Sequence, residues 1–154
     1  MNAVTGIEGL VLRPMREVDL DLVFEIEQQA YPFPWTMGIF RDCLRVGYSC
    51  WVLEREEHPI AYAVMSVAAD EAHILNICVI PSLHGQGIGH QLLEQMVALA
   101  RRRGVDTVLL EVRPSNKAAV RMYEKAGFCE VGLRRGYYPG DNGREDALIM
   151  ARSI

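Results

Sequence analysis

The sequence predicts an α/β fold in which helices lie on both faces of a twisted, mixed sheet. The main observation is a strand-like segment at 73–79, an amphipathic helix at 88–103 and a β-branched, leucine-rich segment at 107–112. A strand–helix–strand unit of this size places its two strands parallel and adjacent. The earlier strand-like segments are joined by short turns, which favour antiparallel pairs. The sheet is therefore predicted to contain both kinds of pairing.

The start of the chain predicts one strand followed by two helices. An apolar strand covers 9–13, and Pro14 ends it. Asp19 and Thr36 are typical helix caps, and the segment 31–35 contains two prolines that separate the two helices. The apolar positions that we expect to face the core are Leu22, Val23, Ile26 and Ala30 in the first helix, and Ile39, Phe40, Cys43 and Leu44 in the second.

Turn and cap residues delimit the later elements. Gly104 is placed to end the long helix, whose last turn carries three arginines that suit the helix dipole. Ser115 or Asn116 is placed to cap a further helix that Gly127 stops. The strands predicted after the second helix are 49–54, 60–68, 73–79 and 107–112, followed by a closing hairpin of 128–133 and 145–151 with a long loop between its strands.

Composition limits the classes of function. The chain has 154 residues, which we interpret as one domain spanning 1–154 with a sizeable core. It carries 16 Lys and Arg against 20 Asp and Glu, for a net charge of −4, which argues against direct binding of nucleic acid. The sequence has no apolar run long enough to cross a membrane and no pattern of a secretion signal. We therefore expect a cytoplasmic protein that does not bind membranes.

The four cysteines and four histidines predict neither disulfides nor a metal site. No two cysteines have the C-x-x-C spacing of a zinc ligand pair, and the histidines form no ligand pattern with them. We expect reduced, mostly buried thiols and no bound metal. Because this is a lone domain without a long unpaired apolar strand, we also expect a monomer.

A glycine-rich turn, Gly85-Gln86-Gly87-Ile88-Gly89-His90, opens the long helix just after the strand at 73–79. Glycine lets the backbone approach a ligand closely, and the first N–H groups of a helix lack internal acceptors, so such a turn favours a phosphate. The P-loop does not fit, because its Lys-Ser/Thr pair is missing, and the glycine spacing does not fit the dinucleotide-binding fingerprint. The alternative is a tight turn that needs positive φ angles.

Glu111 is a charged residue inside the apolar segment 107–112. A carboxylate in a central strand is costly to bury unless it has a partner or faces a cleft. Near the end of a parallel strand it is also well placed to act as a general base. The alternative is a structural ion pair with Arg113 or with another basic group across the sheet.

Asn116 and Tyr123 are seven residues apart on the last predicted helix. This spacing is about two helical turns, so both side chains project from one face. Asn116 can cap the helix or reach a ligand, and Tyr123 would place a phenol on the same face. The alternative for Tyr123 is simple packing beside Ala119 and Ala126.

Two aromatic segments are candidates for the walls of a binding site. Tyr31 and Trp35 flank a proline-stiffened loop, and Tyr137 and Tyr138 stand at the base of a predicted turn-rich loop at 137–143. Each segment also has a structural alternative. The first is a stiff connector over the core, and the second is a hairpin tip.

These residues resemble the GNAT superfamily of acetyltransferases over nearly the whole chain, from Leu10 to Ala151. The acetyl-CoA loop of that superfamily has the form Gln/Arg-x-x-Gly-x-Gly/Ala, and this chain departs from it only at His84, the first position. Within the superfamily the chain is similar to the bacterial ribosomal-protein-alanine N-acetyltransferases, the RimI type. The segments that carry this similarity are Phe33-Pro34-Trp35, Asn76-Ile77-Cys78-Val79, Leu110-Glu111-Val112-Arg113-x-Ser115-Asn116, Met122-Tyr123-Glu124-x-x-Gly127-Phe128 and Arg134-Arg135-x-Tyr137-Tyr138-Pro139.

The resemblance implies that the parallel strand pair splays apart around acetyl-CoA, the co-substrate. Asn116 would hydrogen-bond to acetyl-CoA. The other residues implied to bind it are Gly85, Gln86, Gly87, Ile88, Gly89 and His90 at the pyrophosphate, and the backbone of Ile77, Cys78 and Val79 at the pantetheine arm.

The resemblance also implies direct transfer to an amine, with Glu111 as general base and Tyr123 as general acid. A free α-amine has a pKa of about 8 and must lose a proton before it attacks, so a base is needed. No cysteine is required as a nucleophile. The expected acceptor is the N-terminal alanine of a small-subunit ribosomal protein, and the expected walls of its site are Tyr31, Trp35, Tyr137 and Tyr138.

Two alternatives stay open at the level of sequence. The same fold could acetylate a lysine side chain or a small amine. The lysine amine has a pKa of about 10.4, so it is harder to deprotonate and needs a stronger base than an α-amine does. A non-catalytic module that binds acyl-CoA is the other, although such a module would need neither Glu111 nor Tyr123.

Overall fold

The computed structural model describes residues 4–5 and 9–154. The expectation of no secretion signal depends on the start of the chain, which lies mostly outside these residues. The strands within these residues are β1 Val4–Thr5, β2 Leu10–Pro14, β3 Ser49–Arg55, β4 His58–Ala68, β5 Glu71–Val79, β6 Thr107–Val112, β7 Cys129–Gly140 and β8 Gly143–Ser153. The helices are α1 Leu20–Ala30, α2 Met37–Arg45, α3 Ile88–Arg102 and α4 Lys117–Lys125, with short 3₁₀ turns at Glu17–Asp19 and Pro81–Leu83.

All of these strands belong to one sheet, in the order β1-β2-β3-β4-β5-β6-β8-β7. β5 and β6 pair in parallel, and α3 forms the connection between them. The other pairs recorded for the described residues are antiparallel. The predicted α/β fold with a mixed sheet is therefore confirmed.

Helices cover both faces of the sheet because alternate residues of its central strands bury opposite sides. On β4, Ala61 and Ala63 belong to the apolar cluster formed with α3 and α4. Tyr62 and Val64 belong to the second cluster, formed with α1 and α2. Phe40 of α2 packs edge-on against the Tyr62 ring there, with ring centroids 5.7 Å apart.

β5 and β6 separate after a short paired stretch. Their register pairs residues 71–74 with 107–110, and no pair follows. A β-bulge marks the same point on β5: Met65 of β4 pairs with Ile74 but Val64 pairs with Asn76, which leaves Leu75 as the extra residue. The last residues of β5 and β6 therefore border a gap in the sheet.

The helix α1 holds β5 on its divergent path. The Glu27 carboxylate is buried, and its Oε1 accepts hydrogen bonds from Tyr62 Oη at 2.5 Å and Asn76 Nδ2 at 2.9 Å. Its Oε2 accepts from the Trp35 backbone N–H at 2.9 Å. The three donors compensate for the desolvation of the carboxylate, since a buried carboxylate without partners is strongly destabilising. One side chain thus joins β4, β5 and the segment after α1.

Two expectations about α1 are wrong. Leu22 is 48% exposed, because the buried face runs through Leu20, Val23 and Ile26 instead. Asp19 precedes the helix but makes no side-chain cap. Its carboxylate accepts two hydrogen bonds of 2.8 Å from the Arg13 guanidinium, and that competing partner decides its position.

The expectations for α2 are confirmed in part. Thr36 caps the helix, with Oγ1 accepting from the Ile39 N–H at 3.2 Å, and Phe40 and Cys43 are buried. Ile39 was expected to face the core, but it is 40% exposed. Its side chain lies on the wall of a cleft.

The predicted long loop at 137–143 is wrong. β7 and β8 stay paired up to Gly140 and Gly143, and only Asp141 and Asn142 form the turn. The turn-forming residues make a tight hairpin end, and Pro139 is tolerated because β7 is an edge strand whose proline need not donate to a neighbour. Tyr137 and Tyr138 consequently lie on a strand.

Candidate active site

A cleft of about 300 Å³ opens beside the point where β5 and β6 separate. It brings together residues from both sides of the gap and from the segments that border it. The lining residues are Trp35, Ile39, Cys43, Tyr48, Ile74, Leu75, Glu111, Tyr137 and Tyr138. Three of the four side chains predicted as walls, and the predicted base, therefore meet at one cleft.

Tyr31, the fourth predicted wall, is not among the residues that line this cleft. Its hydroxyl donates to the Ile77 carbonyl at 2.8 Å. Burial raises the pKa of Tyr31 well above its ordinary value, so the hydroxyl stays protonated and keeps donating. Tyr31 therefore adds a second contact between the end of α1 and β5 beyond the bulge.

The Glu111 side chain is only 8% exposed and lies between two basic groups. His73 Nε2 is 2.8 Å from its Oε1, and Arg134 Nε lies against Oε2. These partners compensate for the burial of the carboxylate. Apart from this ion pair, Oε2 is buried without a partner of hydrogen-bond geometry in the described part of the chain.

Arg113, the partner that sequence reasoning considered for Glu111, points to other groups. Its guanidinium lies over the Phe33 ring at 5.2 Å and over the Tyr138 ring at 4.4 Å. It also donates to the Pro139 carbonyl at 2.7 Å and to Glu145 Oε1 at 3.1 Å. Arg113 therefore joins the segment before α2 to the β7–β8 hairpin, the two sides of the cleft.

Tyr123 is 7% exposed, and its ring packs against Phe128 with centroids 6.1 Å apart. Tyr123 therefore does pack in the core, and this packing does not exclude a second role as a proton donor. Burial raises the pKa of Tyr123, and the nearby Tyr138 and Cys78 add to the shift. The phenol therefore stays protonated at neutral pH and is a potential proton donor. The neighbouring Tyr138 has a pKa raised to about 12. Its burial is the larger cause, and the negative charge of the nearby Glu111 carboxylate is the second.

Asn116 stands at the exposed start of α4. Its Oδ1 accepts from the Ala119 N–H at 3.3 Å, so it caps the helix. The side-chain amide makes no other hydrogen bond within the described residues. The predicted contact with acetyl-CoA stays a prediction.

The glycine-rich turn presents a row of backbone donors. Gly85 and Gly87 have φ angles of +81° and +80°, and Gly87 precedes α3 without any side-chain cap. The first hydrogen bond of α3 runs from Gln91 N–H to the Gly87 carbonyl at 3.1 Å. The N–H groups of residues 85–90 therefore have no acceptor among the described residues, which fits the pyrophosphate of acetyl-CoA.

The turn also meets β5 and α4 closely. A Cβ on Gly89 would lie 3.1 Å from Met122 Sδ and 3.7 Å from Val79 Cγ2, so a side chain there would require Met122 to shift by a few tenths of an ångström. His84 Nε2 lies 2.7 Å from the Val79 carbonyl. The histidine that departs from the family pattern thus ties the turn to the end of β5.

The cysteines are free in the described residues, and Cys43, Cys50 and Cys78 are buried while Cys129 is exposed. Burial raises the pKa of Cys78 to about 11 and also raises that of Cys43, the cysteine on the cleft wall. Both stay thiols, which are poor nucleophiles. Residues 9–154 show no metal-binding group of His, Cys, Asp and Glu, and their helices include none long and apolar enough to span a membrane.

Comparison with known proteins decides the family. Residues 20–128 match the sequence model of the acetyltransferase (GNAT) family. The chain belongs to this family. It is 40% identical over 154 residues to the ribosomal protein bS18-alanine N-acetyltransferase of Escherichia coli strain K12, across 100% of this chain and 99% of that protein. The protein of the same name from Haemophilus influenzae is 37% identical over 142 residues, 92% of this chain and 97% of that one.

Solved structures agree with the sequence comparison. The crystal structure of the ribosomal-protein-S18-alanine N-acetyltransferase from Escherichia coli has a TM-score of 0.88 and 41% identity, and the match covers 94% of each chain. Ard1 from Thermoplasma volcanium has a TM-score of 0.85 at 26% identity, over 95% of this chain and 98% of that one. The chain is accordingly a GNAT acetyltransferase that uses acetyl-CoA.

Three features of the site were not predicted. His73 and Arg134 lie beside Glu111 although both are distant from it in sequence. No local pattern singles out His73, whereas Arg134 lies in one of the segments that carry the family resemblance. The buried Glu27 is equally inconspicuous in a helix that carries several acidic residues. The role of Arg113 could have been suspected, because it follows Glu111 within one of the segments that carry the family resemblance.

The substitution Gly87→Ala tests the acetyl-CoA turn. A side chain at φ +80° costs about 1–2 kcal/mol, and its Cβ would stand in the open space that the phosphate needs. We expect the Kd of acetyl-CoA, measured by calorimetry, to rise about tenfold. Gly104→Ala is the matched control, because Gly104 has the same φ and equally open surroundings at the far end of α3. Equal Kd values for the two variants would contradict the assignment.

The substitution Arg113→Lys tests the link across the cleft. Lysine keeps the charge but loses the planar group that stacks on Phe33 and Tyr138. We expect the KM for the acceptor peptide to rise about tenfold while the KM for acetyl-CoA stays unchanged. Arg135→Lys, an exposed arginine on the same hairpin, should change neither. A parallel rise in both KM values would show a general loss of structure instead.

Proposed function

We propose that this protein transfers the acetyl group of acetyl-CoA to the N-terminal α-amine of a ribosomal protein, with alanine as the acceptor residue. The full-length similarity to the ribosomal protein bS18-alanine N-acetyltransferases is the observation that carries the choice of acceptor. The cleft supports the chemistry, because a peptide end could enter between Trp35 and Tyr138 and reach Glu111. The proposal includes a cytoplasmic location and a monomeric enzyme that needs no nucleic acid or membrane.

Acetyl-CoA supplies the reactive thioester, and the chain supplies the acid–base groups. Glu111 takes a proton from the α-ammonium, directly or through a water molecule, which frees the nitrogen lone pair for attack on the thioester carbonyl. The attack forms the amide C–N bond and breaks the C–S bond. Tyr123, which burial keeps protonated, gives its proton to the departing sulfur and regains one from the nitrogen through solvent.

The cleft walls orient the acceptor rather than react with it. Trp35 and Tyr138 offer flat apolar surfaces on opposite sides, and Arg113 holds the Tyr138 side in place. Since the buried cysteines stay protonated, we propose a single direct transfer without an acetyl-cysteine step. Orientation alone can supply several kcal/mol of the lowering of the barrier.

A pair of peptides tests the acceptor. The first begins Ala-Arg with a free α-amine, and the second has the same sequence with a blocked N-terminus and one lysine. We expect CoA release and one added acetyl group, located by tandem mass spectrometry at the α-amine, with the first peptide alone. Acetylation of the lysine in the second peptide would establish the lysine alternative. Tight acetyl-CoA binding without transfer to any amine would establish the non-catalytic one.

The substitution Glu111→Gln tests the proposed base. Glutamine keeps the size of the side chain but cannot take the proton, so kcat for the Ala-Arg peptide should fall by roughly 10²–10⁴-fold. The KM for acetyl-CoA should change little, because no residue of the glycine-rich turn lines the cleft that Glu111 faces. Glu130→Gln, an exposed glutamate on β7, serves as control and should leave kcat unchanged. An unchanged kcat in Glu111→Gln would remove Glu111 from the mechanism.

A further inference from the structure

We propose that His73 is the positioning and proton-accepting partner of Glu111, through which the proton of the acceptor amine leaves the enzyme. This inference rests on the proposed function. It starts from one contact: His73 Nε2 lies 2.8 Å from Glu111 Oε1, close enough for a proton to pass between the two atoms. An imidazole can both accept and release a proton near neutral pH.

The two side chains differ in access to solvent. The Glu111 side chain is 8% exposed and lines the cleft, so a bound peptide would cut it off from water. The His73 side chain is 30% exposed but is not among the residues that line the cleft. Its exposed part is therefore not on the wall of the cleft in which the peptide is proposed to lie. A proton held by Glu111 has an exit through His73 that stays open when the cleft is filled.

The other groups around Glu111 cannot perform this step. Arg134 lies against Oε2, but a guanidinium stays protonated and cannot accept a proton. Tyr138 stays a neutral phenol, because burial and the Glu111 charge raise its pKa to about 12. Among the described residues that face the carboxylate, His73 is the base that remains. The further titratable residues on the cleft wall are Cys43, Tyr48 and Tyr137.

The proton balance closes over one turnover. Glu111 removes one proton from the α-ammonium, and the amine attacks as its neutral form. The carboxyl proton then passes from Oε1 to His73 Nε2, and the imidazolium releases a proton from Nδ1 to water. Glu111 returns to the carboxylate. Proton exchange with water then returns the neutral imidazole of His73 from the Nε2–H to the Nδ1–H tautomer, so that Nε2 can accept again. The net reaction releases one proton for each amide formed, as acetylation of an ammonium group requires.

The substitution His73→Gln separates proton transfer from simple positioning. Glutamine can place an N–H where Nε2 stood, but it cannot carry a proton. An α-amine with a pKa of about 8 is mostly protonated at pH 7 and mostly free at pH 9, so the relay matters chiefly at the lower pH. We expect the wild-type to variant ratio of kcat, with the Ala-Arg peptide, to be about tenfold or more at pH 7 and to approach one at pH 9.

Control variants keep the result interpretable. His58→Gln removes an exposed histidine in the β3–β4 hairpin and should give a ratio near one at every pH. His73→Thr, which retains a side chain favoured in strands, should repeat the pH-dependent ratio if the glutamine variant folds poorly. Partial restoration of His73→Ala at pH 7 by added imidazole would support the relay further. A ratio that is constant with pH, or equal to one throughout, would overturn it and leave His73 a structural neighbour.

The same assay distinguishes this inference from the proposed function. If the wild-type chain acetylates a lysine peptide or a small amine instead, the proposed acceptor is wrong. The ratio is then measured with that amine, whose higher pKa should keep the ratio high up to pH 9. Transfer to the α-amine with a pH-independent ratio would overturn the role of His73 alone. A wild-type chain that acetylates no amine would overturn both.

Discussion

The separation of β5 from β6 is the constraint on which the rest of the site depends. Paired up to Ile74 and Leu110, the two strands then part at the bulge, and the unpaired ends leave a gap in the sheet. Glu111 still pairs with Ile149 of β8, but it is the first residue of β6 without a partner on β5. In a continuous sheet its carboxylate would be costly to bury. Because of the gap, the carboxylate faces a cleft instead, as the proposed general base must.

Two polar links hold the edges of the gap apart and in place. Glu27 joins β4 and β5 to the backbone at Trp35, so the carboxylate fixes one cleft wall relative to the sheet. Arg113 stacks on Phe33 and Tyr138 and thereby joins that wall to the hairpin on the other side. The links share the segment between α1 and α2. Its prolines limit the freedom of that segment, so little additional ordering is needed when a substrate binds.

Much of this arrangement follows from local sequence. The strand–helix–strand unit, the glycine-rich turn and the buried position of Glu111 depend on periodicity and on residues close in sequence, and the structure confirms them. The position of Tyr138 on a strand did not follow from the sequence. The turn-forming residues around it predicted a loop, whereas β7 stays paired with β8 up to the end of the hairpin. The partners of Glu27 and Glu111 did not follow either. They come from distant segments, and only the folded sheet brings them together.

The most direct test is a crystal structure of the chain with an Ala-Arg peptide joined through its α-nitrogen and an acetyl bridge to the sulfur of CoA. The account predicts that this nitrogen lies within hydrogen-bond reach of Glu111, about 3 Å or one water away, with the sulfur facing the Tyr123 hydroxyl. The peptide should leave between Trp35 and Tyr138. A nitrogen out of reach of Glu111, or a peptide that leaves by another route, would contradict the account.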